Sequence, residues 1–360
     1  MRHCLRCAAP IDQTSGRALC ADCRARLRAL LATRAGAQRQ VGERSFLLQL
    51  ALTALTSMLV VLALLNQFGT GAASSSTQKQ RGAWEVFDDV HFSSPVGLAQ
   101  DLAHNLYVAD AANHHIYKLS PSGTVLGIFG SHGTAPGQFD RPSGVALDAA
   151  GNLYVADTAN SRIQKLSASG SSLASWGSVG SGPGEFNTPR GVAVDQEGYI
   201  YVADTGNDRL QKLSPLGKTV AVWGQSGQGP GEYRQPFDVT VDADDSVYVA
   251  DTGNHRVQKL SASGTLVGTW GTLGDGPGEF NAPRWLAVDS RGAMYVSDTY
   301  NHRIQRLSAT GVPEAEYGAR GGLPGQFRRP EALVVDELGG LVVVDADNDR
   351  LQRYVPSPGL

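Results

Sequence analysis

Beyond residue 82 the apolar positions fall in short runs of about five, either alternating with polar residues or continuous, and Gly, Asn, Asp or Pro breaks each run. One cycle reads "GVAVD" (191–195), "YIYVAD" (199–204), "RLQKLS" (209–214) and "KTVAVWG" (218–224). β-Branched and aromatic residues in runs of this length predict four strands joined by tight turns. No segment after residue 82 has the 3.6-residue apolar period of a helix.

The cycle repeats without insertion or deletion. Its central turn begins at Asp110, Asp157, Asp204, Asp251, Asp298 and Asp345, every interval being 47 residues. Asp101, Asp148, Asp195, Asp242, Asp289 and Asp336 keep the same spacing, as do Pro95, Pro142, Pro189, Pro236, Pro283 and Pro330. An aromatic column agrees: Phe92, Phe139, Phe186, Tyr233, Phe280 and Phe327. Four antiparallel strands per repeat of this length make one blade of a β-propeller. The sixth cycle stops before a fourth strand, whereas "GAWEVFDD" (82–89) is a strand with no earlier partners. That strand is expected to complete the sixth blade and leave no open edge. The predicted fold is all-β, a six-bladed propeller over 82–360.

Phe46–Leu65, "FLLQLALTALTSMLVVLALL", breaks the pattern with twenty residues and no charge. As a helix it rises ~30 Å, the thickness of the bilayer hydrocarbon. A buried core helix would be shorter and carry a polar stripe. A cleaved signal peptide, for which Gly71–Ala73 would offer small residues, does not carry 45 residues ahead of its apolar run. The expectation is an uncleaved single-pass transmembrane helix. Residues 1–45 hold nine Arg, no Lys and three acids, while the remainder has a net charge of −9. The positive-inside rule therefore places the N-terminus in the cytoplasm and the acidic body outside the cell membrane. Residues 29–45 form a basic juxtamembrane segment, and 66–81, "NQFGTGAASSSTQKQR", read as a flexible linker.

All four cysteines lie in the head. Cys4, Cys7, Cys20 and Cys23 form C-x2-C-x12-C-x2-C, two knuckles that close a tetrahedral four-sulfur site. This predicts a zinc ribbon over 1–28 with one structural Zn2+. Disulfides conflict with a reducing cytosol, and no thioredoxin-like βαβ pattern supports a redox pair. The motif resembles short zinc ribbons at the N-termini of bacterial membrane proteins. It is too small for a RING finger, which needs eight ligands.

"YVADTGNHRVQKL" (248–260) and "PRGVAVD" (189–195) carry a further resemblance. They look like the repeat signature of the NHL family of six-bladed propellers, over roughly residues 83–355. The Gly-His and Trp-Asp pairs of WD-type repeats are absent.

A turn written six times is expected to hold the ring rather than do chemistry. Asp251 and Asn254 would bond backbone N–H groups, Gly253 would supply positive φ, and Arg256 would reach a carboxylate. Function belongs where the copies disagree. Just after the repeat proline stand Val96–Gly97, Ser143–Gly144, Arg190–Gly191, Phe237–Asp238, Arg284–Trp285 and Glu331–Ala332. Arg190 and Arg284 suit an anionic group, Phe237 and Trp285 apolar walls, and Asp238 and Glu331 counter-charges. The competing arrangement pairs those arginines with the acids across the channel and binds nothing. The expected ligand is a protein, peptide, polymer or small anion. An acidic body argues against nucleic acid.

His114, His255 and His302 recur at one position of the turn. The family's resemblance to peptide-amidating lyases, which bind zinc through histidines of several blades, implies an alternative. On that reading the chain is an envelope enzyme, a metal-dependent lyase or a hydrolase. No Ser-His-Asp set, phosphate loop or paired carboxylates are legible. The reading favoured by the sequence is a non-catalytic binding module outside the membrane.

Overall fold

Each 47-residue cycle folds as its own antiparallel sheet, with strands in sequence order from the inside outwards. The computed structural model describes residues 78–79, 82–87 and 90–357. The predicted zinc ribbon, basic segment and membrane span lie outside the described residues, as does nearly all of the linker. Among the described residues no helix is long and apolar enough to cross a membrane.

In the third blade the strands are Val192–Val194, Ile200–Asp204, Arg209–Leu213 and Thr219–Trp223. Every second strand is buried along its whole length, for example Leu106–Asp110 and Val247–Asp251. It packs against neighbouring blades on both faces, which is why its apolar run is continuous. The outer strands, such as Val125–Phe129, alternate exposed and half-buried residues because one face meets solvent.

The core runs between blades. Tyr248, Ala250 and Val257 of the fourth blade join Phe280, Leu286 and Met294 in one cluster. The aromatic column fills the gap at the rim: Phe139, Phe186, Tyr233, Phe280 and Phe327 are all at most 1% exposed. A positive-φ glycine faces each ring, and at Gly224 (φ +88°) a Cβ would lie 2.3 Å from the Tyr233 ring. The second aspartate column closes the turn between first and second strands. Asp148 Oδ1 accepts the N–H groups of Ala150 (3.0 Å) and Asn152 (2.8 Å).

The ring closes as the sequence predicts. Gly82–Phe87 pairs antiparallel with Arg350–Pro356, from Gly82 opposite Pro356 to Phe87 opposite Leu351. Trp84 sets its ring edge-on to Phe327, centroids 5.2 Å apart. Gln78–Lys79 adds a short parallel strand to Pro313–Tyr317 at the rim of the fifth blade.

Candidate ligand-binding site

The repeated turn is a latch between blades. In the third blade Asp204 is fully buried. Its Oδ1 accepts the Asn187 N–H at 2.8 Å. Its Oδ2 accepts Asn207 Nδ2 at 2.9 Å, Arg209 Nε at 2.7 Å and Gln211 Nε2 at 3.1 Å. Arg209 then donates to the carbonyls of Ser181, Gly182 and Glu185, which holds the "SGPGEF" loop against the sheet. Thr205 Oγ1 reaches the next blade and donates to the Pro236 carbonyl at 2.7 Å. Asp157, Asp251, Asp298 and Asp345 repeat the carboxylate contacts with Arg162, Arg256, Arg303 and Arg350.

The first blade departs from this pattern. His115 and Tyr117 replace the Arg and Gln, and the preceding stretch "VFDDVHF" (86–92) lacks the loop that an arginine would hold. Burial, the largest influence on the Asp110 carboxyl, raises its pKa above the usual range.

Three expectations need correction. Asn254 does not accept a backbone N–H; its Nδ2 donates to the Gly227 carbonyl at 2.8 Å and to the Asp251 carboxylate at 3.0 Å. Gly253 does not supply the positive φ; the left-handed residue is the one two places on, His255 at φ +56°. Gly253 is needed for space, since a Cβ there would lie 2.8 Å from the Arg234 carbonyl oxygen. The recurrent histidines are hydrogen-bond acceptors. His114, His255 and His302 take, through Nδ1, the backbone N–H of Arg141 (3.1 Å), Ala282 (3.0 Å) and Arg329 (3.1 Å) in the next blade. Asp208 and Asp349 do the same for Gln235 (2.7 Å) and Ser94 (3.0 Å), the latter joining the last blade to the first.

Only a neutral imidazole accepts at Nδ1. Burial first, then nearby Arg320, lowers the His302 pKa below its ordinary value. The unfolded chain therefore binds the extra proton more readily. The stability from this bond is present above the unfolded pKa of about 6.5 and is lost as pH falls through the folded value. His302→Asp keeps an acceptor at every such pH. Thermal melts between pH 7 and 5 are expected to fall more steeply for the wild type than for this variant. The difference should be about 1 kcal/mol, one hydrogen bond. Parallel slopes would remove the acceptor role.

The inner strands line a central cavity of about 320 Å³. Neighbouring strands approach so closely that a Cβ on Gly97, Gly144 or Gly191 would lie 1.9, 2.3 or 2.6 Å from the next blade's backbone. The other three blades carry Asp238, Trp285 and Ala332 at this register. Three neighbouring blades thus need glycine at this register, and the other three do not.

The structure brings the six predicted residues together in unequal roles. Arg284 Nη1 donates to Glu331 Oε1 at 2.5 Å, and Trp285 Nε1 donates to Oε2 at 3.0 Å. Arg329 Nε lies 3.2 Å from the same Oε1. The Glu331 side chain is 1% exposed. Phe237 packs edge-on to Trp285, centroids 5.8 Å apart. Its ring carries Arg190 at 4.6 Å and Arg284 at 4.9 Å. Asp238 makes no ion pair among the described residues: its Oδ2 accepts the Leu286 N–H at 3.0 Å, and burial pushes its pKa well above the usual carboxylate range.

Arg190 differs from the rest. Among the described residues it has no carboxylate partner. Burial above all, then Arg284, with Arg141 and Arg329 adding, lowers its pKa against the pull of Glu331. Arg141 and Arg329 precede the repeat proline, a column the sequence reading passed over. The signal was there, since that column reads Ser94, Arg141, Thr188, Gln235, Ala282 and Arg329. Its residues all have φ between +48° and +60°.

Two other places were candidates. His114, His132 and Asp140 offer ligand atoms within 4.8 Å of one another. His114 Nδ1, however, already accepts the Arg141 N–H, and a metal at that nitrogen would compete with the latch. A cleft of about 800 Å³ between the first and sixth blades opens at the opposite end of the sheets. Its Asp101 and Asp336 are engaged in capping turns.

No curated protein matches this sequence. Among solved structures, a gluconolactonase from Xanthomonas campestris superposes with TM-score 0.57 at 16% identity, covering 80% of this chain and 94% of its own. A streptogramin B lyase gives TM-score 0.55 at 15% identity, covering 76% and 97%. An auxiliary nutrient binding protein from Bacteroides thetaiotaomicron gives 0.57 at 15%, covering 77% and 73%. Such identities establish the fold and not the activity. The NHL repeat model matches residues 139–166, 186–213, 233–260 and 280–307. The described residues form a six-bladed β-propeller, and four of its blades match the NHL repeat.

Proposed function

We propose that the propeller is a non-catalytic binding module, displayed outside the membrane by the span at 46–65, and that it captures an anionic ligand at the channel mouth. The cytosolic head, folded around Zn2+ by Cys4, Cys7, Cys20 and Cys23, completes this reading. The observation that carries it is Arg190, a half-buried guanidinium that shares the Phe237 ring with Arg284 and has no carboxylate partner among the described residues. Desolvating a charge without a partner costs stability, and a ligand that brings the missing charge restores it. Five blades share the full latch while the mouth differs from blade to blade, a contrast that supports separating support from recognition.

A photo-crosslinker placed at the mouth in intact cells tests the proposal. The wild type is expected to capture a ligand that Arg190→Ala and Arg284→Ala lose while the ring stays folded. Equal capture by all three proteins sinks it. A reporter fused to the C-terminus is expected to be active only outside the cytoplasm.

A metal-dependent enzyme is the second reading, and the cluster of His114, His132 and Asp140 favours it. Zinc analysis of the full chain separates the two. One equivalent, abolished by Cys4→Ser, supports the binding module; a second equivalent lost with His132→Val supports the enzyme.

A further inference from the structure

A column of buried tyrosines breaks where the ring closes. Tyr107, Tyr154, Tyr201, Tyr248 and Tyr295 recur every 47 residues and are each at most 2% exposed, but the sixth blade carries Val342 at that register. Tyr154 packs with Phe186, Val192 and Ile200 of the third blade, and Tyr248 with Phe280, Leu286 and Met294 of the fifth. The ring thus fills the boundary with the following blade. For the sixth blade that boundary is with the first, and there the cleft of about 800 Å³ lies, lined by Val342. Leu102 and Leu338 line it too, 95% and 88% exposed.

We infer that this cleft is a second binding site, separate from the mouth, and that it takes a phenolic ligand whose ring occupies the place of the missing tyrosine. The partners that a phenol needs remain in the sixth blade. In the second, third and fourth blades the hydroxyls of Tyr154, Tyr201 and Tyr248 donate to Oδ2 of the capping aspartate at 3.2, 3.0 and 2.9 Å. Asp336 keeps the cap through Oδ1, which accepts the N–H groups of Leu338 (2.9 Å) and Gly340 (2.7 Å). Its Oδ2 accepts no hydrogen bond among the described residues.

The cation of the set has moved as well. Lys165, Lys212 and Lys259 pair with their aspartates and stand over the tyrosine rings, 4.8, 4.8 and 4.7 Å from the centroids. Arg353, at the same register, lines the cleft but donates to the Pro121 carbonyl of the first blade and covers the Phe87 ring at 5.0 Å. Asp336 is left without an ion pair among the described residues. A phenol restores both the apolar filling and the O–H donor that Asp336 Oδ2 lacks. An anion would instead meet the charges of Asp336 and Glu337 in the same cleft. The volume exceeds that of one ring and falls in the range of about 300–1,000 Å³ usual for small-molecule sites, so the phenol is one part of a larger ligand.

p-Cresol and toluene, followed by saturation-transfer NMR with the full-length protein, test this. p-Cresol is expected to bind saturably and toluene about tenfold more weakly, the loss of one charge-assisted hydrogen bond. Val342→Tyr fills the place from within the chain and should weaken p-cresol by at least about tenfold. Asp336→Asn keeps the Oδ1 cap and should bring p-cresol down to the toluene level, so the test stands even where Val342→Tyr does not fold. N-Acetyltyrosinamide distinguishes the source: tighter binding than p-cresol, lost in the same variants, assigns the ring to a peptide's tyrosine, and weaker binding assigns it to a free phenol. Toluene binding as tightly as p-cresol overturns the phenol assignment. p-Cresol binding that neither variant changes overturns the site.

Discussion

Asp204→Asn is expected to destabilise the propeller by about 3–5 kcal/mol, the usual cost of breaking a buried ion pair from one side. Three donors converge on Asp204 Oδ2 within 3.1 Å, and the side chain has no access to water. An amide in its place sets its NH2 either against the Asn187 N–H or against Arg209 and Gln211, which then lose their acceptor. Arg209 also holds the loop at 181–185, so the loss spreads to the neighbouring blade contact. Against a whole-domain stability of 5–15 kcal/mol for typical proteins, this is a large fraction. Chemical denaturation of the variant checks it, and a loss below about 1 kcal/mol would show that the turn is decorative.

Removal of the closing strand should have the other large effect. Truncation after residue 89 deletes Gly82–Phe87 and exposes the edge of Arg350–Pro356, where Leu351 and Tyr354 are now 0% and 2% exposed. Trp84 and Phe87 leave with it, each worth about 1.5–3 kcal/mol of apolar burial. An unpaired edge beside an exposed core favours self-association. The truncated protein is expected to melt at least about 10 °C lower or aggregate, since 1 kcal/mol moves the midpoint by about 2–4 °C in a domain of this size. Truncation after residue 81 keeps the strand and should change little. If both truncations behave alike, the strand is not what closes the ring.

The parts of the fold legible in the sequence are those that repeat. Six registers of Asp, Pro and aromatic residues fix the blades, and the strand missing after Tyr354 together with the spare one at Trp84 fixes the closure. What was hidden depends on contacts between distant residues. The residue before a proline ordinarily prefers extended backbone, yet Arg141, Thr188 and Gln235 are left-handed. For Arg141 and Gln235 the reason is His114 or Asp208 one blade away, which captures the backbone N–H. No local rule reports that contact. Likewise the six mouth residues were visible as exceptions to the repeat, but their unequal roles were not. Arg284 proved to be paired with Glu331 of the next blade rather than across the channel, while Arg190 has no acid partner among the described residues. Pairing between blades depends on side-chain reach, and two arginines at equivalent positions read alike in the sequence.

Repeated side chains bear the ring, and the proposed ligand site uses the exceptions. Thermal unfolding of Arg190→Gln beside Asp204→Asn tests that division most directly. The first variant is expected to melt at or above the wild-type temperature, since it removes a desolvated charge crowded by Arg284 and forfeits no ion pair. The second is expected to melt far below it. A loss in Arg190→Gln as large as that in Asp204→Asn would contradict the account, because Arg190 would then be one more strut of the ring.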